Sequence, residues 1–352
     1  MDKNVDILVI GAGQAGLAMG YYLKQSDFNF MLLDSSARIG DAWRNRYDSL
    51  ILFSPRNYSC LPGLSLSGDP EGYPPKDELA NYLETYAHTF SIPVGLNTEV
   101  KSLEKMGERF KAITPNGEYS ADKIVIATGP FQKPFLPQIQ QHVSDNVFQI
   151  HSSKYKNPSQ LPAGNVLVIG AGNSGAQIAT ELSHTRKVYL STGHDIIFLR
   201  REILGRSIFW WLDKLHLSEI PVDSKISKFF KKSEPVIGSE LKNLIQEEKV
   251  IVKERTVGFI GQNAVFQDES QIAVDNIIWA TGFSSDYSWV HVQGVINQDN
   301  KPIHQRGISP VRGIYFLGLL WLSRLGSTQL NGVGYDAKHL YEHIKKSDQS
   351  NT

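Results

Sequence analysis

Two glycine fingers, each set between an apolar strand and a helix, restrict this chain more than any other feature. The first, Gly11-Ala12-Gly13-Gln14-Ala15-Gly16, follows the run VDILVI and opens the helical pattern LAMGYYLKQ; the strand FMLLD then ends in the carboxylate of Asp34. In such a finger the first two glycines allow a tight turn and close approach to a pyrophosphate, and the third lets the helix pack on the strand. The helix N-terminus offers free N–H groups and the positive end of its dipole to phosphate. Asp34 stands close to the ~20-residue spacing of an acid that holds a ribose. Gly11, Gly13, Gly16 and Asp34 are therefore the expected contacts of one dinucleotide.

The second finger, Gly170-Ala171-Gly172-Asn173-Ser174-Gly175, repeats this grammar between the strand NVLVIG, the helix AQIATELS and the strand KVYLST. Gly170, Gly172, Asn173, Ser174, Gly175 and Thr192 are its expected contacts. Its second strand closes on Ser191-Thr192-Gly193-His194, with no acid to take the 2′-hydroxyl of an adenosine and repel a 2′-phosphate. Arg200 and Arg201 follow, and a guanidinium pair suits a phosphate dianion, which favours NADPH over NADH. A solvated surface turn is the plainer reading of the same pair.

An internal echo supports two units. KIVIATGP and NIIWATGF are apolar strands that both end in Ala-Thr-Gly, which brings Thr128 and Gly129 to the first cofactor. PFQKPFLPQ reads as a connector. GIYFLG reads as a late strand returning to the first sheet, with Gly318 at its end, before a final helix YDAKHLYEHIKK. The expected fold is α/β, with two Rossmann-like dinucleotide-binding domains. An NADPH-binding domain with a small helical segment, residues 161–283, is inserted into an FAD-binding domain made of residues 1–160 and 284–352. Two dinucleotides in one enzyme most often exchange a hydride.

Composition narrows the function. The chain of 352 residues has room for two units. Lys plus Arg and Asp plus Glu both count 36, so no net field attracts nucleic acid or an anionic membrane. The apolar run IYFLGLLWL falls far short of the ~20 residues of a spanning helix. The N-terminus enters a strand pattern almost at once, which reads as no signal peptide and a cytoplasmic address. A single cysteine, Cys60, excludes an intramolecular disulfide and a Cys-x-x-Cys pair. No metal is expected, and a homodimer is the default assembly. LGRSIFWWLDKLHL spaces Ile208, Trp211, Leu212 and Leu215 as a helical face, read as core or dimer contact, with a lid above the nicotinamide as the alternative. Arg206 in this stretch is within reach of NADPH phosphates. ISKFFKKSEP (226–235) reads as a solvated basic face.

Nearly the whole chain resembles the flavin-containing monooxygenases. The resemblance rests on the first finger, IGDAWRNRYDSL, LFSPRNYSCLPGL, YPPKDELANYLETYA, HSSKY, GAGNSG, LGRSIFWWLDKL and GLLWLSRLGSTQLNGVGYDAKHL. It is strongest to the short bacterial, CzcO-like forms and extends to the plant auxin-forming, YUCCA-type monooxygenases. The resemblance implies FAD on the first finger, NADPH on the second, and Gly40, Trp43 and Arg46 close to FAD. It also implies a flavin C4a-hydroperoxide that passes oxygen from O₂ to a small sulfur or nitrogen nucleophile or to a ketone. The catalytic chemistry is then carried by the flavin, with Phe53, Asn57 and Gln329 as the candidate neighbours.

The sequence departs from the family at two places. Of the hallmark Phe-x-Gly-x-x-x-His-x-x-x-aromatic, His151 and Tyr155 are present, while Asp145 and Val147 replace the Phe and the Gly. His151 reads as either a proton-transfer group or a residue that satisfies backbone groups in a linker. Phe53 falls where larger members carry an asparagine near the flavin, which removes one amide donor from the place where charge develops. Two other functions stay open: a reductase that passes electrons from NADPH to an external acceptor, and an FAD- and NADP-binding redox accessory protein linked to cation transport.

Overall fold

A computed structural model describes residues 3–232 and 235–349. The fold class is the expected one: a mixed α/β chain with Rossmann-type sheets. The first sheet has seven strands, in the order Val94–Gly95, Phe30–Leu33, Asn4–Ile10, Gly117–Ile126, Arg109–Thr114 and Ser102–Met106, with Ile314–Phe316 also paired to Gly117–Ile126. The second has five, in the order Val250–Lys253, Val188–Ser191, Val166–Ile169, Asn276–Trp279 and Phe148–His151, all parallel. Strands buried on both faces read as unbroken apolar runs, as VLVI and FMLL do here. Each sheet carries one hydrophobic cluster on either face. Each fully buried aliphatic side chain in these clusters contributes about 1.5–3 kcal/mol.

Register brings the motifs together. Ile10 aligns with Leu33 and with Ile126, and Ile126 with Phe316. The first finger, Asp34, Thr128 and Gly318 therefore all leave the sheet at one carboxyl edge. In the second sheet Ile169 aligns with Ser191 and Trp279, Ser191 with Lys253, and Trp279 with His151. The second finger, Thr192, residues 254–256 and the Ala280-Thr281-Gly282 turn share that edge. Open α/β sheets bind ligands at these edges.

Two expectations are corrected. The strand Phe148–His151 pairs with Asn276–Trp279, so the second sheet takes its first strand in chain order at Phe148, ahead of the expected boundary at residue 161. The helix Ile208–Lys214 is only seven residues long, too short for a repeating face. Ile208 and Phe209 are buried, and Leu215 is 58% exposed beyond its end. The stretch expected as a solvated basic face falls on the helix Lys225–Lys232, where Lys225 and Lys228 are exposed; its Ser233 and Glu234 lie outside the described residues.

Candidate functional site

The glycines of each finger divide by what constrains them. Gly11 has φ +108°, and a Cβ there would come within 2.5 Å of the Ala127 carbonyl oxygen; a Cβ on Gly16 would lie 1.9 Å from the Gly11 oxygen. Gly170 has φ +109° and a 2.3 Å approach to the Ala280 oxygen, and Gly175 a 1.9 Å approach to the Gly170 oxygen. The outer glycines are thus demanded by the chain itself. The middle ones are not: a Cβ on Gly13 or Gly172 meets no atom of the described residues within 4 Å. The space that such a Cβ would fill is a cradle open to a phosphate. Helices Gln14–Leu23 and Asn173–Ser183 start beside it, with no side-chain cap and no acid in the first turn. Their leading N–H groups remain available for an anion, so the residues fit a dinucleotide at both fingers.

Other expected contacts divide in the same way. Asp34 is held in place by the Ala12 and Ser36 amides, which donate to its two oxygens at 2.7 and 2.8 Å. Thr128 Oγ1 accepts from Gln132 Nε2 at 2.9 Å, and Gly129, at φ +72°, borders open space. Gly40 and Gly318 have packing reasons to be glycine. A Cβ on the first would lie 2.5 Å from the Ala80 oxygen, and one on the second 2.6 Å from Ala15 Cβ. Asn173 turns away from the cradle, donating to Pro235 O at 3.3 Å and accepting from Ile237 N at 3.1 Å. Arg201 pairs with Glu240 at 3.2 Å and lies over the Tyr73 ring, while Arg200 lines the same open cleft. Arg206 is exposed and lies over Trp210. Asn57 is exposed and donates to Glu71, away from Phe53.

One short segment joins the two fingers, which no motif foretold. Trp43 Nε1 donates to Gln14 Oε1 of the first finger at 3.4 Å. Tyr47, four residues on, is buried against the second sheet's core and donates to Gln177 Oε1 of the second finger helix at 3.0 Å, beside Ser174. Between them, the Arg46 guanidinium lies 5.6 Å from the Phe131 ring and 5.2 Å from the Phe283 ring, the residues that follow the two Ala-Thr-Gly turns. Burial lowers the pKa of Arg46. His151 sits behind Phe283, at 5.3 Å between rings. Its Nδ1 accepts from the Ser153 amide at 3.1 Å, which makes Nε2 the donor to the Gly282 carbonyl at 3.0 Å. Burial lowers its pKa, with the Gly282 contact opposing and Arg46 assisting. The geometry makes His151 a neutral strut for the second turn. Tyr155 donates to Glu181 at 2.7 Å from full burial. Val147 fills the second sheet's core where the hallmark glycine would stand, and Asp145 is exposed.

A cleft opens beyond Phe53. Phe53 stacks on Phe209 at 6.1 Å, and Tyr58 lies 6.1 Å from the same ring. Tyr58, Phe209, Asp213, Arg324, Asn331 and Tyr335 line the cleft, and Gln329 borders it. Among the described residues, Arg324 Nε and Asn331 Oδ1 are buried there with no hydrogen-bond partner. On the helix Gly332–Gln349, His339 and His343 stand four residues apart, a His-x-x-x-His spacing that the expectation of no metal had wrongly taken to be absent from the sequence. Among the described residues no three His, Cys, Asp or Glu side chains gather to hold a metal. Among them, too, no helix is long and apolar enough to cross a membrane.

The pyridine nucleotide-disulphide oxidoreductase family model matches residues 8–202. The chain belongs to this family. It is 57% identical to an oxidoreductase named CzcO-like from Geobacillus kaustophilus, over 98% of this chain and 99% of the relative. It is 26% identical to the indole-3-pyruvate monooxygenase YUCCA8 of Oryza sativa subsp. japonica, over 91% of this chain and 87% of the relative. Among solved structures, a flavin-containing monooxygenase from Stenotrophomonas maltophilia superposes with a TM-score of 0.83 at 25% identity, covering 99% of each chain. The resemblance read from the sequence is borne out, and the chain is an oxidoreductase of the flavin monooxygenase type. Membership implies a flavin, FAD, and a pyridine nucleotide, NADPH, as its cofactors. The disulphide in the family's description has no counterpart dithiol here, since Cys60 is the only cysteine.

Proposed function

We propose that this chain is a single-component monooxygenase with FAD on the first finger and NADPH on the second, the NADPH-binding unit being inserted into the FAD-binding one. The observation that carries this reading is the segment Trp43 to Tyr47, which touches both fingers and both post-turn phenylalanines. Bound together, the cofactors supply a hydride and, with O₂, one oxygen atom for a small sulfur or nitrogen nucleophile or a ketone.

In this reading Gly13 and Gly172 admit the two pyrophosphates, and Asp34 takes the ribose of FAD. Gly40, Trp43, Thr128, Gly129 and Gly318 border the FAD, and Ser174 borders the NADPH. Arg46 supplies the positive charge at the junction, where among the described residues no carboxylate pairs with it. Phe53 and Phe209 wall the reacting region from water. Arg324 Nε and Asn331 Oδ1 offer a donor and an acceptor to the substrate. The enzyme works in the cytoplasm.

The test supplies the flavin-loaded protein with NADPH and air, using methyl phenyl sulfide and a small cyclic ketone as probes. Sulfoxide or lactone should form as a fixed share of the NADPH consumed. If every probe gives only H₂O₂, while a quinone or ferricyanide accelerates NADPH oxidation, the protein is a reductase and the proposal fails.

A further inference from the structure

In a nucleotide unit of this type the adenosine ribose lies beyond the carboxyl end of the second strand, here Val188–Ser191. The sequence offers Thr192, Gly193 and His194 at that place, with Asp195 next and no lysine or arginine. The structure brings one there from elsewhere. A Cβ built on Gly193 would lie 2.3 Å from Nη2, 2.6 Å from Cζ and 2.6 Å from Nε of Arg255. The guanidinium thus lies flat against the Gly193 Cα, in space that any other residue would take.

Arg255 is held there by its neighbours. Ser191, which is buried, donates from Oγ to the Glu254 carbonyl at 2.9 Å and accepts from Thr256 N at 2.9 Å and Thr256 Oγ1 at 2.8 Å. Thr192 N donates to Lys253 O at 3.0 Å. Residues 253, 254 and 256 are therefore all tied to the end of the strand Val188–Ser191, which fixes where residue 255 projects. Its side chain is exposed, and among the described residues no ion pair or hydrogen bond engages it. Arg201, by contrast, has its charge opposed by Glu240, 3.2 Å from Nη1, although its Nε has no hydrogen-bond partner among the described residues.

We infer that Arg255, and not the Arg200-Arg201 pair, receives the 2′-phosphate of NADPH. The inference rests on the reading that the second finger binds the nicotinamide nucleotide. A planar guanidinium presented beside a side-chain-free turn is suited to bidentate contact with a phosphate dianion, and glycine at position 193 is what keeps the approach open.

The experiment titrates the flavin-loaded protein with NADP⁺ and with NAD⁺ by calorimetry, so that binding is read without turnover. Arg255→Ala should weaken NADP⁺ about 10- to 100-fold, the loss of one charge-assisted phosphate contact, and leave NAD⁺ unchanged. Arg255→Lys should fall between the two, because an ammonium cannot form the fork. Gly193→Leu should weaken NADP⁺ with Arg255 still present. Thermal melts confirm that each variant is folded, and the lysine variant decides the matter should the alanine variant not fold. An unchanged NADP⁺ to NAD⁺ ratio in Arg255→Ala, or a parent protein that binds both equally, overturns the inference and leaves the proposed function standing. A parent that binds neither nucleotide overturns both.

Discussion

The contrast between middle and third glycines gives the sharpest prediction, and the second finger is the place to test it. Gly172 has φ −72° and ψ 179°, a conformation that alanine adopts freely. Replacing glycine by alanine at a helix N-cap costs about 0.5–1 kcal/mol, and the stiffer unfolded chain returns about 0.4–1 kcal/mol. Gly172→Ala should therefore melt within a few degrees of the parent. Its methyl group, however, stands in space that no atom of the described residues occupies within 4 Å, where a phosphate on this turn would lie. Overfilling a packed contact costs about 1–3 kcal/mol, so NADPH affinity should fall about 5- to 150-fold.

Gly175→Ala should behave in the opposite way. Its Cβ would lie 1.9 Å from the Gly170 oxygen, 3.0 Å from the Gly170 carbonyl carbon and 3.1 Å from Ala280 Cβ. Carbon and oxygen rest at about 3.3–3.6 Å, so the helix has to recede by more than an ångström from the strand it caps. Here the loss falls on the fold, at or above the ~3 kcal/mol end of overpacking. Calorimetric melts of the two variants, with nucleotide titration of Gly172→Ala, check the pair. Parental NADPH affinity in Gly172→Ala, or a parental melting temperature in Gly175→Ala, would refute the assignment of these glycines.

Two further outcomes follow from the junction. Arg46→Met keeps the packing on Phe131 and Phe283 and removes a half-buried, unpaired charge, so the melting temperature should not fall; anaerobic flavin reduction by NADPH, followed by stopped flow, should slow about 10-fold or more. The pKa values of His151, His304 and His339 are all lowered by burial. The folded state thus binds protons less readily than the unfolded one, and the stability present above about pH 6.5 is lost as pH falls below it. Melting temperatures should drop from pH 7.5 to pH 5, and His151→Gln should make that drop shallower; an unchanged slope would remove His151 from the account.

How much of this was legible in the sequence depended on range. A finger is local: the glycines, strand and helix that give it meaning lie within a few residues, and Asp34 closes the unit one helix later. Its geometry was therefore written in consecutive letters. The junction was not. The sequence marked Trp43 and Arg46 only as neighbours of FAD and Tyr47 not at all; their link to both fingers shows only when the chain places Gln14 on one side and Gln177 on the other. Arg255 was missed for the same reason: it reaches Gly193 because parallel strands bring Lys253 beside Ser191, and no spacing rule spans that crossover. Periodicity misled at Leu215, since a seven-residue helix ends before a face repeats. FQIH was read as linker because a short edge strand beside a connector has no alternation of its own.

The topology also ties the chain that follows one finger's turn to the chain that follows the other's. The chain leaves the first sheet just after Ile126 and returns to it at Ile314. The outward crossing begins at Ala127, the residue whose carbonyl the first finger's Gly11 touches. The homeward one begins at Ala280, which the second finger's Gly170 touches in the same manner. The two crossings then pair with each other, Lys133–Pro134 running antiparallel to Phe283–Ser284. Each finger is thus anchored to one of two strands of chain that are themselves bonded side by side. Beside that paired crossing the segment Trp43 to Tyr47 makes the second link between the units, reaching Gln14 of the first finger helix at one end and Gln177 of the second at the other.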